Sequence, residues 1–146
     1  MISKNECVIC KRVEPKIVFN YLHKLLDEKT DKKNINRIGK RICFIINELD
    51  KKHRIFFCGK SKFALLGGIF YLIINDEGIR TTQREISYLL PSSRIKTMKK
   101  YNPLEEEGYY TITEVTIRNS IKKWLKMRKY VKEIPDYSSF KYLRCK

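Results

Sequence analysis

Residues Phe63 to Ile74 read FALLGGIFYLII, an unbroken apolar run with two glycines near its centre. As a helix it would be about 18 Å long, too short for a hydrocarbon layer about 30 Å thick. A helix that is apolar on every side and cannot span a bilayer must be buried by the rest of its own chain. Every other element therefore has to be arranged around it. Gly67 and Gly68 each cost about 1 kcal/mol relative to alanine inside a helix. That cost is tolerable where small residues let a neighbouring helix come close.

Segments with a single apolar stripe flank this run. PKIVFNYLHKLLDE begins with a proline suited to a first helical turn, and Val18, Tyr21, Leu22, Leu25 and Leu26 recur at helical spacing. EKTDKKN reads as a polar linker. INRIGKRICFIINELDKK carries Ile35, Ile38, Ile42, Ile45, Ile46 and Leu49 on one stripe, and HRIFFCGKS turns the chain with Gly59 as a stop signal. The central helix is expected from Ser61 to Asn75, ended by NDEGIRT. In TTQREISYLL, Thr82 can cap a helix and Glu85 can reach back to it, a capping box. Ile86, Leu89 and Leu90 then form its buried face. PSSRIKTMKKYNPLEEEGYY has two prolines, a basic cluster and an acidic run, and reads as a loop. The last helix lies in TITEVTIRNSIKKWLK, Thr111 to Lys126. The expectation is an all-α fold. An N-terminal segment spans 1–14, one helical domain spans 15–127 with an insertion at 91–110, and a basic aromatic tail spans 128–146. The expected core is Phe63, Leu66, Ile69, Phe70, Ile86, Leu89, Ile117, Ile121 and Trp124.

The last helix raises its own question. With Thr113 as cap, Ile117, Ile121, Trp124 and Leu125 fall on one side, and Val115, Arg118, Asn119 and Lys122 on the other. Val115 is about 200° round the helix from Ile117, so it stands among polar side chains. A valine beside an arginine suits a base edge: the valine can touch a thymine methyl while the guanidinium forks onto a guanine. The pattern equally fits one apolar residue on a solvated basic face. Composition bears on the choice. Lys and Arg number 32 against 16 Asp and Glu, a formal charge of +16. Such an excess repels itself in a compact state unless a polyanion neutralises it, and nucleic acid is the first candidate. A lysine-rich proteome encoded by an A/T-rich genome would supply part of the same excess. No basic amphipathic membrane anchor is evident, and the start, MISKNECVICKR, lacks a signal-peptide core. The chain is expected to be soluble and intracellular, without a membrane partner.

The cysteines number five and do not space like a disulfide framework. Cys43 and Cys58 sit in apolar surroundings and read as core fillers. Cys7 and Cys10, in CVIC, are half of a tetrahedral zinc site. Cys145 with His23 or His53 would complete it, as would the same pair from a second subunit. A vestigial pair without metal and a redox or disulfide role are the other readings. Two histidines far apart, no glycine-rich phosphate loop and no nucleophile motif give no basis for enzymatic chemistry.

The pair TTQREI and TEVTIRNSIKKWL, preceded by KSKFALLGGIFYLIINDEGIR, resembles the end of the second cyclin repeat of the general transcription factor B family (archaeal TFB, eukaryotic TFIIB and their relatives). The match is close over Thr82–Ile86 and Thr113–Asn119, and extends as helix order from Pro15 to Met127. The resemblance implies a single five-helix cyclin-like domain ending in a helix-turn-helix with a long inserted loop. It implies a DNA-binding transcription initiation factor whose last helix enters the major groove upstream of a TATA box. Val115 and Arg118 match the family's base contacts. Thr116, Asn119, Lys122, Lys126, Gln83 and Arg84 are the other expected DNA contacts. The implied partners are double-stranded DNA, TATA-binding protein and RNA polymerase, and the implied location is with DNA in an archaeal cytoplasm, a nucleus or a viral factory. Family members carry a zinc ribbon and two repeats. This chain has room for one repeat and only CVIC, and a homodimer would supply a second repeat. It places the 20 residues of 91–110 where a helix-turn-helix turn has three or four. Two other readings stand beside this one. A protein-interaction regulator or decoy would bind TATA-binding protein or RNA polymerase without reading DNA, and a coat protein would bind nucleic acid by charge alone.

Overall fold

A computed structural model describes residues 14–57, 62–90 and 112–139. Among these residues there are five α-helices and no strand, so the domain is all-α as expected. The helices are α1 (Pro15–Leu26), α2 (Lys32–Lys52), α3 (Lys62–Asp76), α4 (Gln83–Leu89) and α5 (Glu114–Lys126). Short 3-10 turns occupy Arg54–Phe57, Met127–Lys129 and Tyr137–Ser139. The expected insertion at 91–110, Cys7, Cys10, Cys58 and Cys145 lie outside the described residues. No helix among the described residues is long and apolar enough to cross a membrane.

Helix ends follow from local chemistry. Pro15 opens α1. Asp31 caps α2 by accepting the Asn34 N–H at 3.0 Å. The helix therefore starts at Lys32, and the second half of the expected linker becomes its first turn. Thr82 Oγ1 accepts the Glu85 N–H at 3.1 Å and Glu85 Oε1 accepts the Thr82 N–H at 3.0 Å, which is the expected capping box. At the end of α3, Gly78 adopts φ 92°, a left-handed conformation that glycine takes without a Cβ clash. The Gly78 N–H reaches Asn75 O at 3.1 Å and the Ile79 N–H reaches Ile74 O at 3.2 Å, satisfying carbonyls that the helix end leaves open.

The apolar helix α3 is central, and its main partner is α5. A Cβ on Gly67 would run into Ile117 Cδ1. One on Gly68 would run into Ser120 Oγ and stand 2.8 Å from Ser120 Cβ and 2.9 Å from its carbonyl carbon. The glycine pair is thus the notch into which α5 settles. Beyond the notch, the Trp124 indole N–H donates to Leu65 O at 2.8 Å. The Trp124 ring packs on Phe56 and Phe57, at centroid distances of 4.9 and 6.3 Å. The HRIFF segment, expected only to turn the chain, also supplies these two buried rings.

Leu66, Ile69, Phe70, Ile86, Ile117, Ile121 and Trp124 are buried as expected. Phe63 and Leu89 are only half-buried. Phe63 stands edge-on to Tyr21 at 5.9 Å near the rim. α4 stops at Leu89, while the extended residue Leu90, expected on the same buried face, is buried. The core also continues past residue 127. Val131 and Ile134 are buried, so residues 128–139, expected as the first part of a tail, are packed on the domain.

Two substitutions test this packing by denaturant unfolding. Trp124→Ala should cost about 3–5 kcal/mol through the cavity it leaves. Gly68→Ala should destabilise by about 1–3 kcal/mol through overpacking, although alanine is the better helix former by about 1 kcal/mol. A Gly68→Ala midpoint at or above that of the parent chain would mean that α5 does not sit in the notch.

Candidate nucleic-acid interface

Burial orients α5. Ile117, Ser120, Ile121 and Trp124 face α3 and are buried. Arg118, Asn119, Lys122 and Lys126 are exposed, and Val115 is 55% exposed among them. The structure therefore brings five of the expected DNA contacts onto one solvent-facing helix surface. Thr116 is different. Its N–H donates to Thr113 Oγ1 at 3.2 Å and its hydroxyl lies 3.1 Å from the same atom. It is half-buried and serves the helix cap.

The start of α4 lies against the first turn of α5. Arg84 Nε–H donates to Glu114 Oε2 at 2.7 Å, and this bond raises the guanidinium above its ordinary value. Arg84 thus ties the two helices together. Gln83 is half-buried in a cleft of about 430 Å³ lined by Tyr71, Thr82, Arg84 and Glu114. A second, open cleft of about 600 Å³ is lined by Tyr88, Leu90, Ile112 and Val115 with Arg84 and Glu114. Asn75 fixes the turn that leads into α4. Its Nδ2 donates to Tyr71 O at 2.7 Å and Thr81 O at 3.2 Å, and its Oδ1 accepts the Thr81 N–H at 3.2 Å. Lys29 adds a clamp from the α1–α2 connection, donating to both Glu85 oxygens at 3.0 and 3.1 Å and to Arg80 O at 2.9 Å.

Several carboxylates of the domain have cationic partners. Asp76 and Glu77 pair with Arg37 and Arg41, Glu85 with Lys29, Glu114 with Arg84, and Asp136 with Arg128. Among the described residues no acid is ion-paired with Arg118, Lys122 or Lys126. The exposed face of α5 is cationic because Arg118, Lys122 and Lys126 stand on it, while Glu114 in its first turn is paired with Arg84.

Sequence reasoning missed two residues here. Glu114 carries the α4–α5 tie. An acid in a first helical turn is a readable signal, but its partner thirty residues earlier is not. Tyr137 is the other. Burial pushes its phenol up, against a smaller opposing effect of the Arg118 charge. Its segment was read as a tail, and the signal that could have corrected this is Val131 and Ile134 at i and i+3.

Of the expected zinc ligands only the two alternative histidines, His23 and His53, fall among the described residues. His23 Nδ1 lies 3.1 Å from Asp27 Oδ1, and the His53 ring stacks on Tyr130 at 4.6 Å. No group of three or more His, Cys, Asp or Glu among the described residues is arranged to hold a metal ion. Comparison with protein-family models, curated proteins and solved structures found no match. Fold and surface together define an all-α domain that displays one cationic helix face with an exposed valine in it.

The capping box that starts α4 has a pH signature. The Thr82 N–H is the main influence holding the Glu85 carboxyl below its ordinary value; burial opposes it, and Lys29 lowers it further. A lowered folded value means stability that is present above the unfolded value, about 4.3, and lost as pH falls through the folded one. Glu85→Gln, which can still hydrogen-bond within a capping box, should melt lower than the parent at neutral pH. The gap should close below about pH 4. A gap that persists at low pH would assign the effect to packing.

Proposed function

We propose that this chain is a DNA-binding transcription factor of the initiation-factor B type, a single cyclin-like repeat that reads promoter DNA through the major groove with α5. The observation that carries the reading is the exposed surface of α5. Val115 stands open beside Arg118, on the side opposite a buried stripe, and Arg118, Lys122 and Lys126 on its face have no ion-paired acid among the described residues. An α-helix with side chains is about 10–12 Å across and the major groove about 12 Å wide, so such a face can be inserted whole. Val115 and Arg118 take base edges. Asn119, Lys122 and Lys126 lie further along the same face and take phosphates or steer approach. Gln83 and Arg84 approach the backbone from α4. Arg84 has four N–H donors besides the one given to Glu114.

A second reading keeps the same surface for a protein. Tyr88, 79% exposed, and Val115 border the open cleft between α4 and α5, which suits an apolar side chain of TATA-binding protein or RNA polymerase. The resemblance to the initiation-factor family favours DNA for the face and leaves these proteins as further partners.

Selection of binding sites from random duplex DNA, followed by titration of variants, separates the readings. Arg118→Ala should lose about 1–3 kcal/mol on the selected site and flatten preference at one or two base pairs. Val115→Ala should lose less, at a position bearing a thymine methyl. Lys122→Ala and Lys126→Ala should weaken binding to all sequences alike and reduce the salt slope. Equal loss by Arg118→Ala on selected and scrambled duplexes would reduce the arginine to a phosphate contact and favour binding by charge alone.

A further inference from the structure

An open cleft of about 210 Å³ lies where the end of α2 meets the end of α5, lined by His53, Ile55, Phe56, Lys123, Lys126 and Met127. It shares no lining residue with the two clefts beside α4. Local chemistry builds it. The His53 N–H ends α2 by donating to Leu49 O at 2.7 Å, and the Phe56 N–H donates to His53 O at 3.0 Å, so residues 54–57 wind into a 3-10 turn. Phe56 and Phe57 of that turn are buried beside Trp124, and Ile55 is left 66% exposed. The His53 ring, stacked on Tyr130, forms one side. Lys123 and Lys126 are exposed, and no acid among the described residues is ion-paired with either. The acids at this end of α2 already face cations: Glu48 lies 3.7 Å from Lys51 and from Lys52, and Asp50 lies 3.8 Å from Arg54.

We propose that this cleft docks an acidic segment of a partner protein, with one bulky apolar side chain seated against Ile55, Phe56 and Met127 and its neighbouring carboxylates on Lys123 and Lys126. The cleft is smaller than the sites of about 300–1,000 Å³ that enclose small molecules, so it suits one side chain and not a whole ligand. A single exposed apolar residue is ordinary on a protein surface. Ile55 is not single: it shares a concave site with Phe56 and Met127, and covering that site removes apolar area from water. The two lysines supply the selection. They attract a segment rich in Asp or Glu and repel a basic one. Nucleic acid fits less well. Phosphates would meet Lys123 and Lys126 but leave Ile55 uncovered, and Phe56, 4% exposed, offers no open ring on which a base could stack. The docking site goes beyond the reading of α5 as a groove helix and does not depend on it, because Lys126 is the one residue common to both.

The test titrates a dye-labelled synthetic peptide, in which glutamates flank one phenylalanine, into the full chain by fluorescence anisotropy. Two control peptides carry alanine for the phenylalanine or glutamines for the glutamates. The parent chain should bind the first peptide saturably and each control at least about tenfold more weakly. Ile55→Ser and Lys123→Glu should each weaken the first peptide about five- to tenfold. Melting temperatures should not change, because both side chains are exposed. Ile55→Ser should bind duplex DNA as the parent does. No binding of the first peptide by the parent chain overturns the proposal, as does equal binding by Ile55→Ser. Equal binding of the alanine peptide would mean attraction by charge alone and overturns it too. A loss of DNA affinity in Ile55→Ser would assign the cleft to nucleic acid. A concentration-dependent dimer that Ile55→Ser dissociates would assign it to a second copy of the chain. Either result replaces the acidic segment as occupant.

Discussion

The Trp124 indole N–H donates a hydrogen bond to Leu65 O at 2.8 Å across a helix contact that requires the absence of two Cβ atoms, at Gly67 and Gly68. Both glycines lower the intrinsic stability of α3. What they permit is burial of a wide aromatic ring and a second apolar helix against the most hydrophobic segment of the chain. The indole N–H would be costly to bury unpaired, and the Leu65 carbonyl satisfies it. This contact sets the rotation of α5 about its own axis. It therefore sets which side chains of α5 meet solvent, and the properties of the candidate interface are consequences of it.

Polar fastening then places α4 relative to that frame. Asn75 is fully buried and bridges the last turn of α3 to the strand-like residues before α4 through three hydrogen bonds. Arg41 forks onto Asp76 and Glu77 at 2.6 and 2.7 Å and anchors the same corner to α2. Exposed ion pairs contribute little singly. These are partly buried, and they converge on one turn, so their effect is mainly to specify geometry. α4 has only seven residues and is too short to be stable as an isolated helix. Its position comes from the capping box, the Lys29 clamp and the Arg84–Glu114 tie.

The chain carries a net charge of +16. The acids paired among the described residues serve corners and helix ends, and Arg118, Lys122 and Lys126 stand exposed on α5 with no ion-paired acid among those residues. Self-repulsion along that face is relieved when an anionic partner binds. That is a physical reason to look for function there even without relatives to compare.

Helix existence was legible because periodicity and caps are local. Five apolar stripes, Thr82 with Glu85, and Thr113 with the Ile117–Ile121–Trp124 series were sufficient to name five helices and the two faces of α5. Boundaries were less so. Asp31 capped three residues earlier than the apolar stripe suggested, and of the expected pair Leu89 and Leu90 only Leu90, just past the end of α4, is buried. Pairings between distant residues were not legible at all. Nothing in the chain announces that Arg84 meets Glu114, that Phe56 and Phe57 lie under Trp124, or that the 128–139 segment folds back to bury Val131 and Ile134 and set its last turn on α3. By itself the sequence determined an all-α chain built round one apolar helix, with a basic face on its last helix, because hydrophobic periodicity and capping act within a few residues. Only the tertiary structure decided how deeply α5 sits on α3, which acids fasten the corners, and that the segment after α5 folds back onto the core, because those outcomes depend on contacts between residues far apart in the chain.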